Sequence, residues 1–146
     1  MSLLDAPEYD PARERRKKLL AAGAVLLAIA LAVAGYRFRN WPEERVVGRF
    51  FAALQNKDYE TAYGIWLADP DWKQHRDRNA NYLYSDFYRD WGPGGEWGLI
   101  RTYRVESSES PPHASGVVVE VVVNERATKA RVWVEKKDKS LTFPPI

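Results

Sequence analysis

The chain has two histidines, His75 and His113, and neither sits in a pattern that gives an imidazole a partner. His75 stands in the polar run Lys73-Gln74-His75-Arg76-Asp77, and His113 follows Pro111-Pro112. A general base needs an oriented neighbour to hold its tautomer, so both read as solvated surface side chains. Asp69, Asp71 and Asp77 are close enough in sequence to suggest a cation site. Their positions fit two helix caps and a helix surface better. Gly92-Pro93-Gly94-Gly95 lacks both the spacing and the Lys-Ser/Thr sequel of a phosphate-binding loop, and reads as a break between elements. The absence of cysteine excludes disulfides and thiolate metal sites. The residues therefore predict no catalytic group, no metal and no cofactor.

Two further sets of side chains could bind rather than react. Tyr63, Trp66, Tyr82, Phe87, Trp91 and Trp97 could line a pocket for an apolar ligand, although such a set more often fills a small core. Between Arg126 and Lys136 the chain alternates, with Ala130, Val132 and Val134 on one face of a predicted strand. Trp133 then falls on the other face beside Arg131 and Glu135. An aromatic with arginine on a wet sheet face is the composition of a protein interface, so Trp133, Arg131 and Glu135 are the candidate docking residues.

The element that places all of these is Leu19 to Tyr36, eighteen residues without a charge. As a helix it would measure about 27 Å, close to the hydrocarbon thickness of a bilayer. Leu19, Leu20, Val25, Leu26, Leu27, Ile29, Leu31, Val33 and Tyr36 carry its hydrophobicity, and no polar stripe marks it as a buried core helix. Ala32-Val33-Ala34 resembles a signal-peptide cleavage site, but the leader before the apolar run is longer than the usual short basic one. An uncleaved anchor is the reading that results. Gly23, Gly35 and the alanines give it a smooth surface that another helix could approach.

Arg13, Arg15, Arg16, Lys17 and Lys18 precede the span, against Arg37, Arg39 and Arg45 after it. The bias sets the N-terminus in the cytoplasm, with Tyr36, Phe38 and Trp41 at the far interface. Residues 1–18 are then a cytoplasmic tail, in which Leu3 and Leu4 could touch a partner, and 19–36 the transmembrane helix. Residues 37–146 form one extracytoplasmic domain, periplasmic if the membrane is a bacterial inner membrane. A net charge of +2 is too close to balance for a nucleic-acid partner.

Within that domain Trp41-Pro42-Glu43-Glu44 opens a helix, with Val46, Val47, Phe50, Phe51 and Leu54 on its inner face. Asp58 caps a second helix that turns Ala62, Ile65 and Trp66 inward, and Asp69-Pro70 is another start signal. Residues 71–81 are polar enough to be an exposed helix or a loop. Tyr82, Leu83, Phe87 and Trp91 restore an apolar face. After the glycines the period changes to strands: Trp97 to Glu106, Gly116 to Asn124, Arg126 to Lys136, and Ser140 to Phe143. Ser107 to Ser115 is a predicted turn region, and Asn124-Glu125 and Lys137-Asp138-Lys139 are tight hairpins. Helices followed by an antiparallel meander predict an α+β domain of about three helices packed on about four curved strands.

Phe50, Phe51, Leu54, Asp58, Tyr59, Ala62 and Tyr63 mark a helix with a phenylalanine-rich end, a short polar loop and an aspartate-capped helix with an Ala-Tyr pair. This opening, and the order of elements over about residues 42 to 144, resembles small bacterial domains of the nuclear transport factor two-like (cystatin-like cone) superfamily. The resemblance implies a sheet curled around helices to leave a conical cavity. It also implies roles that range from enzymes through ligand binders to membrane-anchored assembly subunits, a type IV secretion component among them. The inward positions here are Phe, Tyr, Trp, Val and Ile where enzymes of that superfamily often place a polar pair. The expected role is thus a non-catalytic accessory subunit of a secretion, respiratory or photosynthetic membrane complex, its partners being the bilayer and other membrane subunits. The alternative is an anchored small-ligand-binding module, remotely an enzyme, that uses the cone.

Overall fold

A computed structural model describes residues 8–145; residues 1–7 and 146, with Leu3 and Leu4 of the tail, lie outside it. The chain divides into two units, one ending at Arg39 and one beginning at Asn40.

The first unit is helix α1, Pro11–Arg37. Asp10 caps it by accepting a hydrogen bond from the Ala12 N–H at 2.9 Å, and Pro11 takes the first position, where its missing N–H costs nothing. The helix therefore starts before the apolar run and carries the basic cluster Arg13 to Lys18 in its first turns. At 27 residues it is about 40 Å long. Among the described residues it is the one helix long and apolar enough to cross a membrane, and none of its residues is buried. Leu19, Leu20, Val25, Leu26, Leu27, Ile29, Leu31, Val33 and Tyr36 are all exposed.

The second unit opens with α2 (Trp41–Gln55), α3 (Tyr59–Leu67) and α4 (Tyr84–Trp91). Pro42 and the acidic pair Glu43 and Glu44 start α2 as expected, and Val46, Val47, Phe50, Phe51 and Leu54 are buried along it. Asp58 caps α3, accepting from the Thr61 N–H at 3.2 Å. The polar stretch before α4 holds only short 3-10 turns at Trp72–Gln74 and Arg76–Asn79.

Four strands follow as an antiparallel meander in the order β1-β2-β3-β4: Tyr103–Glu109, Gly116–Val123, Ala130–Glu135 and Leu141–Thr142. Val117, Val119, Val121 and Val123 of β2, with Ala130, Val132 and Val134 of β3, are buried in one cluster with the inner faces of the helices. The link from β2 to β3 is longer than the expected two-residue hairpin, running from Asn124 to Lys129, so β3 begins at Ala130 and not at Arg126. Within it Asn124 and Glu125, with positive φ of 50° and 58°, make a tight turn closed by the Arg126 N–H donating to the Val123 carbonyl at 3.0 Å. The architecture is α+β, three helices on a four-stranded curved sheet, behind a long apolar helix.

The first strand differs from its expected limits. Residues 97–102 are not part of the ladder, because their backbone bonds elsewhere. Asn124 Oδ1 accepts from the N–H groups of Arg101 (2.7 Å) and Thr102 (3.2 Å), and Asn124 Nδ2 donates to the Leu99 carbonyl (2.9 Å). Pairing starts at Tyr103↔Val123 and passes a bulge between Val105 and Ser107. It then runs on through Ser108 and Glu109, into the expected turn region. The extra residue in the bulge keeps Val105 and Ser108 on one face of the sheet.

Candidate binding groove

The aromatic side chains proposed for a pocket occupy the core instead of leaving it hollow. Phe50 sits at their centre, its ring centroid 5.1 Å from Trp91, 5.3 Å from Phe51, 5.4 Å from Trp66 and 6.0 Å from Phe87. Tyr63 touches Phe87 at 5.2 Å and donates its hydroxyl to the Tyr82 carbonyl at 2.6 Å. Tyr82 donates in turn to Asp90 Oδ2 at 3.0 Å, and burial together with that bond pushes its hydroxyl far above the ordinary value. Trp97 is buried under the Arg126 guanidinium, 5.6 Å above its ring.

The expectation for Trp133 requires correction. Alternation does put it on the face opposite Val132 and Val134, yet it is only 8% exposed. It lies over Gly116, where an added Cβ would come within 2.5 Å of its ring, and it is paired across the sheet with Val118, itself buried. Its Nε1 donates to Glu135 Oε1 at 2.7 Å. Glu135 is thus engaged by Trp133 and half-buried, and of the three candidate docking residues only Arg131 is exposed, with its Nε 3.7 Å from Glu120. On the same face Lys129 bridges Glu106 and Glu120. The hydrogen bond with Lys129 holds the Glu106 carboxyl below the ordinary carboxylate range and raises the Lys129 ammonium.

His75 also departs from its expected solvated state. Its Nδ1 lies 2.8 Å from Asp69 Oδ2, and both side chains are about a third exposed or less. Asp69 Oδ1 accepts from the Asp71 N–H at 3.1 Å, so this carboxylate ties both ends of the turn that follows α3. The pair ties down the loop that follows α3. His113 stays exposed, at positive φ. Among the described residues no three His, Asp or Glu side chains converge on a common point as a metal site would require.

That tied turn forms one wall of a groove of about 630 Å³ in the domain. Val46 and Arg49 of α2, Gly64 and Ile65 of α3, Pro70 to Gln74 of the turn, and Asp138 and Lys139 of the last hairpin line it. Gly64 permits the turn to close on α3, since a Cβ there would lie 3.3 Å from both the Asp69 carbonyl and Trp72 Cδ1. Trp72 is fixed by its Nε1, which donates to the Glu60 carbonyl at 3.2 Å, and Lys73 by Glu60 Oε2 at 2.6 Å.

Opposite, Lys139 holds Glu43 Oε1 at 2.9 Å. Glu43 is 5% exposed and its Oε2 has no partner among the described residues, so an internal carboxylate sits at the start of α2. The Asp138 carboxyl is pulled below the ordinary range by the Ser140 N–H and hydroxyl, which both donate to it. Arg49, exposed at the groove, makes no ion pair among the described residues. The lining carries Glu60, Asp71 and Asp138 as well as Arg49, Lys73 and Lys139. With both lysines paired it is Arg49, beside Val46 and Ile65, that can take an acidic group on a segment or ligand with an apolar body. Sequence reasoning missed Arg49, Trp72 and Lys139. The one signal available was Arg49 at i+3 from Val46, which shares its side of α2.

Comparison with family models, with curated proteins and with solved structures finds no match to this chain.

Proposed function

We propose that the chain is a non-catalytic, single-span accessory or scaffold subunit of a larger bacterial inner-membrane complex. In this reading α1 crosses the bilayer with its N-terminus in the cytoplasm, and the domain from Asn40 onward works outside the cytoplasm by protein–protein contact. The observation that carries it is α1 itself, an apolar helix with no residue buried, joined to a domain filled by packed aromatic rings. The excess of Arg and Lys before the span supports the orientation. Resemblance to the cone-shaped superfamily supports the assembly role and belongs to the same proposal. The groove at Arg49 replaces the Trp133 face as the docking surface.

Topology and docking are testable together. A reporter active only outside the cytoplasm should work after residue 146 and be silent at residue 10; the reverse pattern ends the orientation. Arg49→Glu should abolish co-purification of partner chains from mild detergent and leave the thermal midpoint unchanged, since Arg49 makes no ion pair among the described residues. Intact co-purification removes the groove from the proposal.

A second reading, an anchored ligand-binding module, draws on the groove's volume, which is that of a small-molecule site. A bound small molecule released on denaturing the purified protein would favour it.

A further inference from the structure

Residues 37–45 hold three arginines, Arg37, Arg39 and Arg45, against two glutamates, Glu43 and Glu44. In sequence the stretch is close to balanced, but the fold engages only the acids. Glu43 is 5% exposed and holds Lys139, and Glu44 is half-buried and accepts from the Ser108 hydroxyl. All three arginines are exposed, and none makes an ion pair among the described residues. What the first turn of α2 offers to its surroundings is therefore cationic.

The cation there is carried on an aromatic ring. The Arg45 guanidinium lies 5.1 Å over Trp41, which precedes it by one turn of α2 and is 50% exposed. The end of α1 repeats the pairing, with Arg39 5.0 Å over Tyr36, itself 74% exposed. A cation–π contact engages the ring face and leaves the guanidinium N–H donors available. Such a group can take a phosphate through two parallel N–H···O bonds. Phe38 and Arg39 still donate backbone bonds to the Ala34 and Tyr36 carbonyls, so Arg39 closes α1. Trp41 is two residues further, at most about 7 Å of chain. With α1 across a bilayer, the chain keeps Trp41 and Arg45 at the headgroup layer.

We propose that the Trp41–Arg45 face of α2 binds the headgroups of anionic phospholipids. The inference rests on the reading of α1 as a membrane span and holds for either orientation of it. It is separate from docking at Arg49, because neither Trp41 nor Arg45 lines that groove. An amphipathic ring settles among headgroups, and the cation it carries then meets their phosphates. A zwitterionic headgroup brings its own ammonium to that phosphate, so net negative charge is what Arg45 selects.

The test places the full chain in phosphatidylcholine nanodiscs and raises their phosphatidylglycerol content in steps. The indole N–H signals of the tryptophans are followed, and the one lost in Trp41→Phe belongs to Trp41. That signal should shift saturably with phosphatidylglycerol. Arg45→Gln should raise the phosphatidylglycerol fraction at half-saturation about fivefold, the effect of one arginine at a charged surface. Arg101→Gln removes an equally exposed charge outside the stretch and should leave that fraction unchanged. Co-elution with the discs but no shift of the Trp41 signal overturns the proposal and leaves the span standing. Equal effects of Arg45→Gln and Arg101→Gln also overturn it, because the lipid would then sense net charge alone. A chain that does not co-elute with the discs ends the reading of α1 as a span, and the proposal falls with it.

Discussion

Trp133 rests on Gly116, and the fit leaves no room for a methyl group. A Cβ at Gly116 would stand 2.5 Å from Cε2 and Nε1 of Trp133 and equally close to the Val134 carbonyl, which is backbone and cannot step aside. Gly116→Ala should therefore cost about 1–3 kcal/mol in chemical denaturation, the usual range for an overpacked site. Unchanged stability would mean that the indole and the β3 backbone at Val134 both give way. The face that Trp133 takes was legible in the alternation of Ala130 to Glu135. Its burial was not, because Gly116 and Val118, which cover it, belong to the neighbouring strand and reach it only through register. The Asp69–His75 pair has the same character. Its members are near in sequence, but the polar run around them reads as solvated until the turn after α3 brings Oδ2 and Nδ1 to 2.8 Å.

At the scale of elements, local signals located the helices and hairpins, whereas bonds between distant side chains set where strands begin. Asn124 was legible as a turn residue, and it also takes the N–H groups of Arg101 and Thr102 out of the ladder. The junction of α2 with the β3–β4 hairpin depends on a pair equally invisible in sequence, Glu43 and Lys139. Lys139→Ala leaves the Glu43 carboxylate internal and unpaired. It should cost about 2 kcal/mol, less than the roughly 3–5 of a fully buried pair, because Lys139 keeps about a third of its surface in water. A loss near zero in urea melts would show that water replaces the ammonium. The aromatic seam of α3 and α4 makes a pH prediction. Burial raises the hydroxyls of Tyr59, Tyr63, Tyr82 and Tyr84 above their ordinary value of 10.0. The unfolded chain ionises them first, so their contribution is complete below pH 10 and is lost as the pH rises past it. Urea midpoints should fall between about pH 9 and pH 11, and Tyr82→Phe should flatten that alkaline limb. A pH-independent midpoint over this range would show that the hydroxyls titrate alike in both states.

At the scale of the whole molecule the hydrophobic residues fall into two groups that obey different rules. From Asn40 on, the large apolar side chains are mostly buried against one another; in α1 none is. Exposure of Leu19 to Tyr36 along a whole helix is costly in water and natural in hydrocarbon. Uniform hydropathy without a period made this the most legible part of the sequence, and also hid the earlier helix start at Pro11, which depends on the Asp10 cap. The proposed anchor is testable by substitution within α1. Leu26 and Leu27 lie near the middle of the apolar run, where an arginine costs about 2.5–3.5 kcal/mol on insertion scales. Leu26→Arg with Leu27→Arg should therefore oppose insertion by roughly 5–7 kcal/mol, enough to move the protein from the membrane pellet to the alkaline-carbonate supernatant. The thermal midpoint of the domain should not change, because both side chains are exposed along α1. If the doubly substituted chain stays in the pellet, α1 is not what holds the protein to the membrane. If instead the midpoint drops sharply, the apolar face of α1 is covered by protein rather than lipid, and the single-span anchor gives way to a helix buried in an assembly.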